Sequence, residues 1–159
     1  MKEMRQKNRE ITDRKLIDEI IRKSGVLYLA MADGNVPYGV PLSFGYDGCS
    51  IYFHCASEGL KIDFIKKNPN VCFTFVGEIV YQEKMSSCDA GTAFQSVIGR
   101  GKCEILSDVE EKRKGLDILM CQYTKSKLEF SEKAIQGVTI VKISITELKG
   151  KRRLGHKTS

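Results

Sequence analysis

Pro37-Tyr38-Gly39-Val40-Pro41-Leu42-Ser43-Phe44-Gly45-Tyr46, followed after a short turn by Ile51-Tyr52-Phe53-His54-Cys55-Ala56-Ser57-Glu58-Gly59-Leu60-Lys61, is the stretch on which the rest of the chain is organised. It reads as two strands joined at Asp47-Gly48, then a polar segment that opens a helix. Pro41 cannot donate to a sheet ladder, so its strand is expected at an edge or leaves the ladder there. Two uses of that edge stay open: its free amides and carbonyls can meet a planar heteroaromatic ligand, or Pro41 merely guards the edge against aggregation. Alternation in the next strand puts Ile51, Phe53 and Cys55 on one face and Tyr52 and His54 on the other.

Ser57 is expected to cap a helix whose apolar positions are Leu60, Phe64 and Ile65, ending before Asn68-Pro69-Asn70. Lys61 then lies in the first turn, where the helix dipole disfavours a cation by a few tenths of a kcal/mol up to about 1 kcal/mol. A phosphate held by the exposed amides, the Ser57 hydroxyl and the Lys61 ammonium accounts for that placement. The competing account is a surface pair between Glu58 and Lys61, worth less than about 1 kcal/mol.

Outward from this stretch, Thr12 is expected to cap a helix from Asp13 to about Lys23, with Leu16, Ile17, Ile20 and Ile21 as its apolar stripe. A strand runs from Val26 to about Ala32 and turns at Asp33-Gly34-Asn35 into the Tyr38 to Tyr46 strand. Val71 to Val76 has little polar interruption and reads as a strand buried on both sides. From Gly77 to Ala93 the periodicity dissolves into a loop facing a substrate or an interface.

Phe94 to Leu106 is a long strand in which Gly99 and Gly101 fall on the apolar face, the mark of a bulge, a sharp barrel bend or a closely approaching ligand. Its Gly-Arg-Gly lacks the third glycine and the following helix of a dinucleotide fingerprint. Ser107 and Glu110 read as a capping box for a helix to about Tyr123, with Val109, Leu116, Leu119, Met120 and Tyr123 inward. An irregular segment from Thr124 to Gln136 precedes a last strand, Val138 to Ile145, and a basic tail. Direct hairpins dominate, which favours an antiparallel sheet closed into a small barrel over a doubly wound parallel sheet.

The composition agrees with one domain over residues 1–159, with 42% hydrophobic and 29% charged residues. The longest apolar run, Val26 to Ala32, is far short of a bilayer span of about 20 residues, and the charged opening has no apolar core behind it, so the expected location is cytoplasmic, without a membrane segment. The six cysteines show no Cys-x-x-Cys spacing and read as reduced core thiols rather than a metal site. The net charge of +6 is concentrated at the two ends, at Lys2, Arg5, Lys7 and Arg9 and at Lys149, Lys151, Arg152, Arg153 and Lys157. Both ends lack stacking aromatics, so they read as solvated, partly frayed termini rather than nucleic-acid arms.

The two blocks quoted first, with Asn68-Pro69-Asn70-Val71-Cys72-Phe73 and Ser96-Val97-Ile98-Gly99-Arg100-Gly101, resemble the pyridoxamine-5'-phosphate-oxidase-like flavin-binding proteins, nearest their nitroimidazole-resistance branch. The resemblance covers nearly the whole chain. It implies a mainly β fold with α, an antiparallel split β-barrel with flanking helices, forming a homodimer with FMN at the interface. It further implies that the backbone of Val40, Pro41, Leu42 and Ser43 lies against the isoalloxazine. The segment from His54 through Ser57 to Lys61 would hold the phosphate, and Gln95, Ser96 and Val97 would touch the ring. Phe94 and Gln95 stand where the family commonly has aromatic and basic residues, and Arg100 takes a place often aromatic.

The activity implied is an FMN-dependent oxidoreductase acting on a small molecule, with no assigned catalytic side chain and no metal. For His54 a phosphate hydrogen bond or a structural role is favoured over proton transfer. The alternative is a protein of the same fold carrying flavin, deazaflavin or haem without turnover.

Overall fold

The computed structural model describes residues 3–81, 92–124 and 128–154. Eight antiparallel strands form one sheet: β1 (Glu10–Ile11), β2 (Leu27–Asp33), β3 (Val36–Leu42), β4 (Gly45–Tyr46), β5 (Ser50–Cys55), β6 (Asn70–Tyr81), β7 (Thr92–Ile105) and β8 (Thr139–Arg153). They are ordered β3-β2-β6-β7-β8-β5-β4, and β1 also pairs with β8. The two ends of that order, β3 and β4, are consecutive in the chain, separated only by Ser43 and Phe44. The sheet therefore curls until its two margins meet without pairing, which is a split β-barrel.

Four helices flank it: α1 (Arg14–Lys23), α2 (Leu60–Lys67), α3 (Val109–Cys121) and α4 (Glu132–Gly137). Strand alternation fills the barrel. Leu27, Leu29, Phe73, Phe75, Val97 and Ile143 lie inside and are essentially inaccessible. Ile17, Ile20 and Ile21 of α1 join that cluster, whereas Tyr52 turns outward to a second cluster with Leu116, Ile135 and Ile140 under α3 and α4.

Several expected boundaries move, for identifiable reasons. Asp13, not Thr12, caps α1, because its carboxylate accepts from the Lys15 amide at 2.9 Å. In the same way Asp108 accepts from the Glu111 amide at 2.9 Å, replacing the Ser107–Glu110 box. Strand β6 runs on to Tyr81, past an irregularity between Val76 and Ile79 that breaks the alternation. It is buried on one face rather than both: Val71, Phe73 and Phe75 point inward, while Cys72 and Thr74 are half-covered. The remainder of the expected 77–93 loop, residues 82–91, lies outside the described residues.

The segment expected to be irregular contains α4, capped by Ser131, whose hydroxyl accepts from the Ala134 amide. The C-terminal basic residues through Arg153 are strand, not frayed tail. Lys149 pairs with Ile98, Lys151 with Ser96 and Arg153 with Phe94. Lys157 lies outside the described residues.

The region of the edge strand and helix α2

Pro41 stands in an edge strand, in keeping with its missing donor: among the described residues β3 pairs only with β2, with Pro41 opposite Tyr28 and Leu42 opposite Leu27. Immediately afterwards the chain leaves the ladder at Ser43, which is exposed. Phe44 is fully buried and its amide donates to the Tyr123 hydroxyl at 2.9 Å, which in turn donates to the Gly25 carbonyl at 3.3 Å. Tyr123, expected to point inward, has its ring at the surface and uses its hydroxyl to pin this joint.

Strand β5 ends at His54, exposed, and Cys55, half-buried. Ser57 does not cap the helix. The cap position is Gly59, held at φ 110°, a conformation that residues with a side chain rarely adopt, and no side chain closes the first turn. The Gly59 carbonyl accepts from the Ile62 amide at 2.9 Å and from the Asp63 amide at 3.1 Å. By helix geometry the amides of Leu60 and Lys61 then point outward without an intrahelical partner. The other three α-helices are each capped by a side chain, from Asp13, Asp108 and Ser131.

Leu60 departs from expectation as well: it is 55% exposed, while Ile62, Phe64 and Ile65 form the buried face. The late helix start explains this, because the chain enters the helical turn at Leu60 with the inward stripe beginning two residues later.

Among the described residues Lys61 forms no ion pair, so the Glu58 partner that could have explained its position is not there. Its ammonium instead lies 5.7 Å from the centre of the Phe53 ring. Burial pushes the Cys55 thiol up from its ordinary pKa, and the nearby Lys61 charge pulls it partly back.

Helix α2 packs against the β2–β3 hairpin. The Phe64 ring contacts Tyr38 of β3, while the Asn68 side-chain amide donates to the Ala32 carbonyl at 3.0 Å and Lys67 pairs with Asp33 at 2.6 Å, both at the end of β2. The Tyr38–Phe64 contact sets α2 beside β3, and Val40, Pro41 and Leu42 continue that strand beyond Tyr38 to the exposed Ser43.

Gln95, Ser96 and Val97 are not in that group. Between β3 and β7 stand β2 and β6, so the two sets are three strand spacings apart, about 14 Å along the sheet. Val97 is fully buried beside Phe75, Ser96 faces outward opposite Lys151, and Gln95 lines a concavity of about 490 Å³ beside α1. The glycines of β7 do not open a ligand slot either. A Cβ on Gly99 would stand 2.3 Å from the Phe73 ring, and one on Gly101 would stand 2.6 Å from Ile143. They make room for core side chains, and the bulge expected here is found between Arg100 and Gly101.

Sequence reasoning missed the Tyr38–Phe64 contact, whose only signal was an aromatic on each of two adjacent amphipathic elements, and the Tyr123 hydroxyl, which carried none. Among the described residues no His, Cys, Asp and Glu side chains gather in a group able to hold a metal ion, and no helix is long and apolar enough to cross a membrane.

The family model for pyridoxamine 5'-phosphate oxidase matches residues 13–152. A solved structure of a candidate 5-nitroimidazole antibiotic resistance protein from Bacteroides thetaiotaomicron is similar at 36% identity. It covers 90% of this chain and 86% of its own, with a TM-score of 0.80. A flavocytochrome from Azotobacter vinelandii shares the fold at 21% identity, covering 96% of this chain and 73% of its own, with a TM-score of 0.80. An FAD and haem binding protein from Mycobacterium smegmatis does so at 17% identity, covering 92% and 74%, with a TM-score of 0.80. No curated protein matches the sequence.

Proposed function

The chain belongs to the pyridoxamine 5'-phosphate oxidase family, and from that premise we propose that it is a flavin-binding oxidoreductase taking FMN and reducing a small molecule. The observation that carries this reading is the first turn of α2. Its outward amides have no side-chain cap, Gly59 at φ 110° opens it, and a lysine without a carboxylate partner sits on it. Such a turn is built for a terminal phosphate. The Leu60 and Lys61 amides and the Lys61 ammonium supply donors, with the exposed Ser57 hydroxyl and His54 imidazole at the rim.

The ring of the cofactor would lie along β3. That strand uses one side of its backbone to pair with β2, which leaves the other side, from Val40 to Ser43, to meet the polar edge of a planar heterocycle. When bound, the flavin supplies the hydride or electron transfer itself. The chain's own residues anchor the phosphate, present a flat backbone surface and fix the orientation of the ring. No side chain is required as an acid or base.

Gln95, Ser96 and Val97 would reach a ring only from a second copy, since three strand spacings separate them from β3 of the same chain. The reading therefore includes a homodimer with the cofactor at the interface. Val97, whose side chain is spent in its own core, would contribute backbone alone. The exposed apolar face bearing Tyr28 and Ile98, on outward positions of β2 and β7, is available for that contact.

The test is the chromophore that copurifies, identified by absorbance and mass. FMN bleached by a reduced nicotinamide nucleotide supports the reading. FMN that no donor reduces supports binding without turnover. A haem Soret band, a deazaflavin or a colourless protein that takes up no FMN overturns it.

A further inference from the structure

Arg100 and Lys102 occupy successive outward positions of β7, opposite Cys72 and Asn70 of β6. Cys72 in turn pairs with Ala30 of β2, and Ala32 follows on the same outward face. Two alanines between longer side chains leave a depression, and these residues line a hollow of about 610 Å³ on the outside of the barrel. Its far wall is Thr146, the extra residue of the bulge where the register passes from Arg100–Glu147 to Gly101–Ile145. The Thr146 hydroxyl donates to the Arg100 carbonyl at 3.1 Å and fixes that wall.

The charged residues of the lining are both cationic, Arg100 and Lys102. The Glu147 carboxylate stands outside the lining but opposite Arg100 in the ladder, and its attraction to Arg100 offsets part of that charge, leaving Lys102 without such a neighbour in the lining. A concave site lined by one sign of charge focuses its field into the opening. The volume is within the range of small-molecule sites, about 300–1,000 Å³. Val40 to Ser43, His54, Ser57 and Lys61 take no part in it.

We propose that this hollow binds a small organic anion bearing a carboxylate or a phosphate. The Arg100 guanidinium and Lys102 ammonium grip the charged group, and the apolar remainder lies on Ala30 and Ala32. The site is separate from the α2 turn, but it continues the outward face that bears Tyr28 and Ile98, so it requires that the second copy of the flavin reading leave Ala30 and Arg100 open.

Amide shift mapping of the full chain by NMR, titrated with inorganic phosphate and separately with succinate at fixed ionic strength, tests this. The expected result is saturable shifts confined to 30–32, 70–72 and 100–102 for at least one probe. Saturation by phosphate alone marks a phosphate ligand, and by succinate alone a carboxylate. The double variant Arg100→Gln, Lys102→Gln should weaken that binding at least tenfold, while Lys66→Gln, an exposed cation on α2, leaves it unchanged. Non-saturating shifts, shifts elsewhere, an equal loss in Lys66→Gln, or no response because a second copy covers the hollow overturns the proposal.

Discussion

The Tyr38 and Phe64 rings meet with centroids 5.3 Å apart and planes tilted by 47°, fastening the edge strand β3 to helix α2. Tyr38 is half-buried against the main core and Phe64 is 7% exposed, so the contact is both packing and alignment. An aromatic pair contributes about 0.5–1.5 kcal/mol beyond its buried area. Tyr38→Ala should lower unfolding free energy by about 2 kcal/mol in denaturant titration, and should weaken flavin binding because strand and helix lose their mutual placement. Unchanged affinity in a destabilised variant would show that the two elements do not share a ligand.

Lys61→Glu separates binding from folding. A glutamate in a first helical turn is favoured by about 0.3–1 kcal/mol, which offsets the lost contact with the Phe53 ring. The apoprotein should keep its melting temperature, while FMN affinity, followed by flavin fluorescence, falls at least tenfold. An unchanged affinity places the phosphate elsewhere.

Gly99→Ala should destabilise the fold by about 1–3 kcal/mol, since the new methyl would enter the Phe73 ring. Phe73→Leu in the same chain should recover part of that loss, whereas a purely conformational effect of the glycine would show no recovery. Thermal unfolding of the two single variants and the double variant decides between them.

Alkaline pH should unfold the chain before neutral or mildly acidic pH does. Burial pushes the hydroxyls of both Tyr46 and Tyr52 up to about 12 from the ordinary 10, and each also donates to a carboxylate, Asp18 and Asp47 respectively. A group whose pKa is raised on folding holds its full contribution below the unfolded value and loses it as pH climbs toward the folded one. Stability should therefore be level up to about pH 9 and fall between about pH 10 and pH 12. Tyr46→Phe should flatten part of that fall.

Tyr28 is 50% exposed and Ile98 42% exposed on the outward face of the sheet. If two copies meet there, light scattering of the purified protein gives about twice 17.9 kDa. Tyr28→Glu should then return it to a monomer and release the flavin. A wild-type monomer that retains flavin would rule out the shared site.

The alternating strands were legible because burial writes a period of two into the sequence: Ile51 and Phe53 of β5, and Val97, Gly99 and Cys103 of β7, face the core as expected. The edge at Pro41 was legible because a missing donor has one structural consequence. What escaped was decided by geometry rather than by residue type. Ser57 is a better cap than Gly59 on propensity, yet the positive φ at Gly59 delays the helix past it. The irregularity after Val76 hid the continuation of β6, and the basic run from Lys149 to Arg153 resembled a tail because its partners, Phe94 to Ile98, are fifty residues away in the chain. In the candidate site, Lys61 was legible as an electrostatic misfit, while the distance of Gln95 to Val97 from β3 depends on a strand order that local sequence does not encode.

The parity of β7 divides the tolerance of this strand to change. Gly99, Gly101 and Cys103 face Phe73, Ile143 and the rest of the interior, where an added methyl already collides. Ile98, Arg100 and Lys102 alternate with them and meet only the outside. Drift at the even positions can refashion what the barrel meets without disturbing how it folds, so related chains should diverge in ligand along one side of a strand whose other side stays fixed.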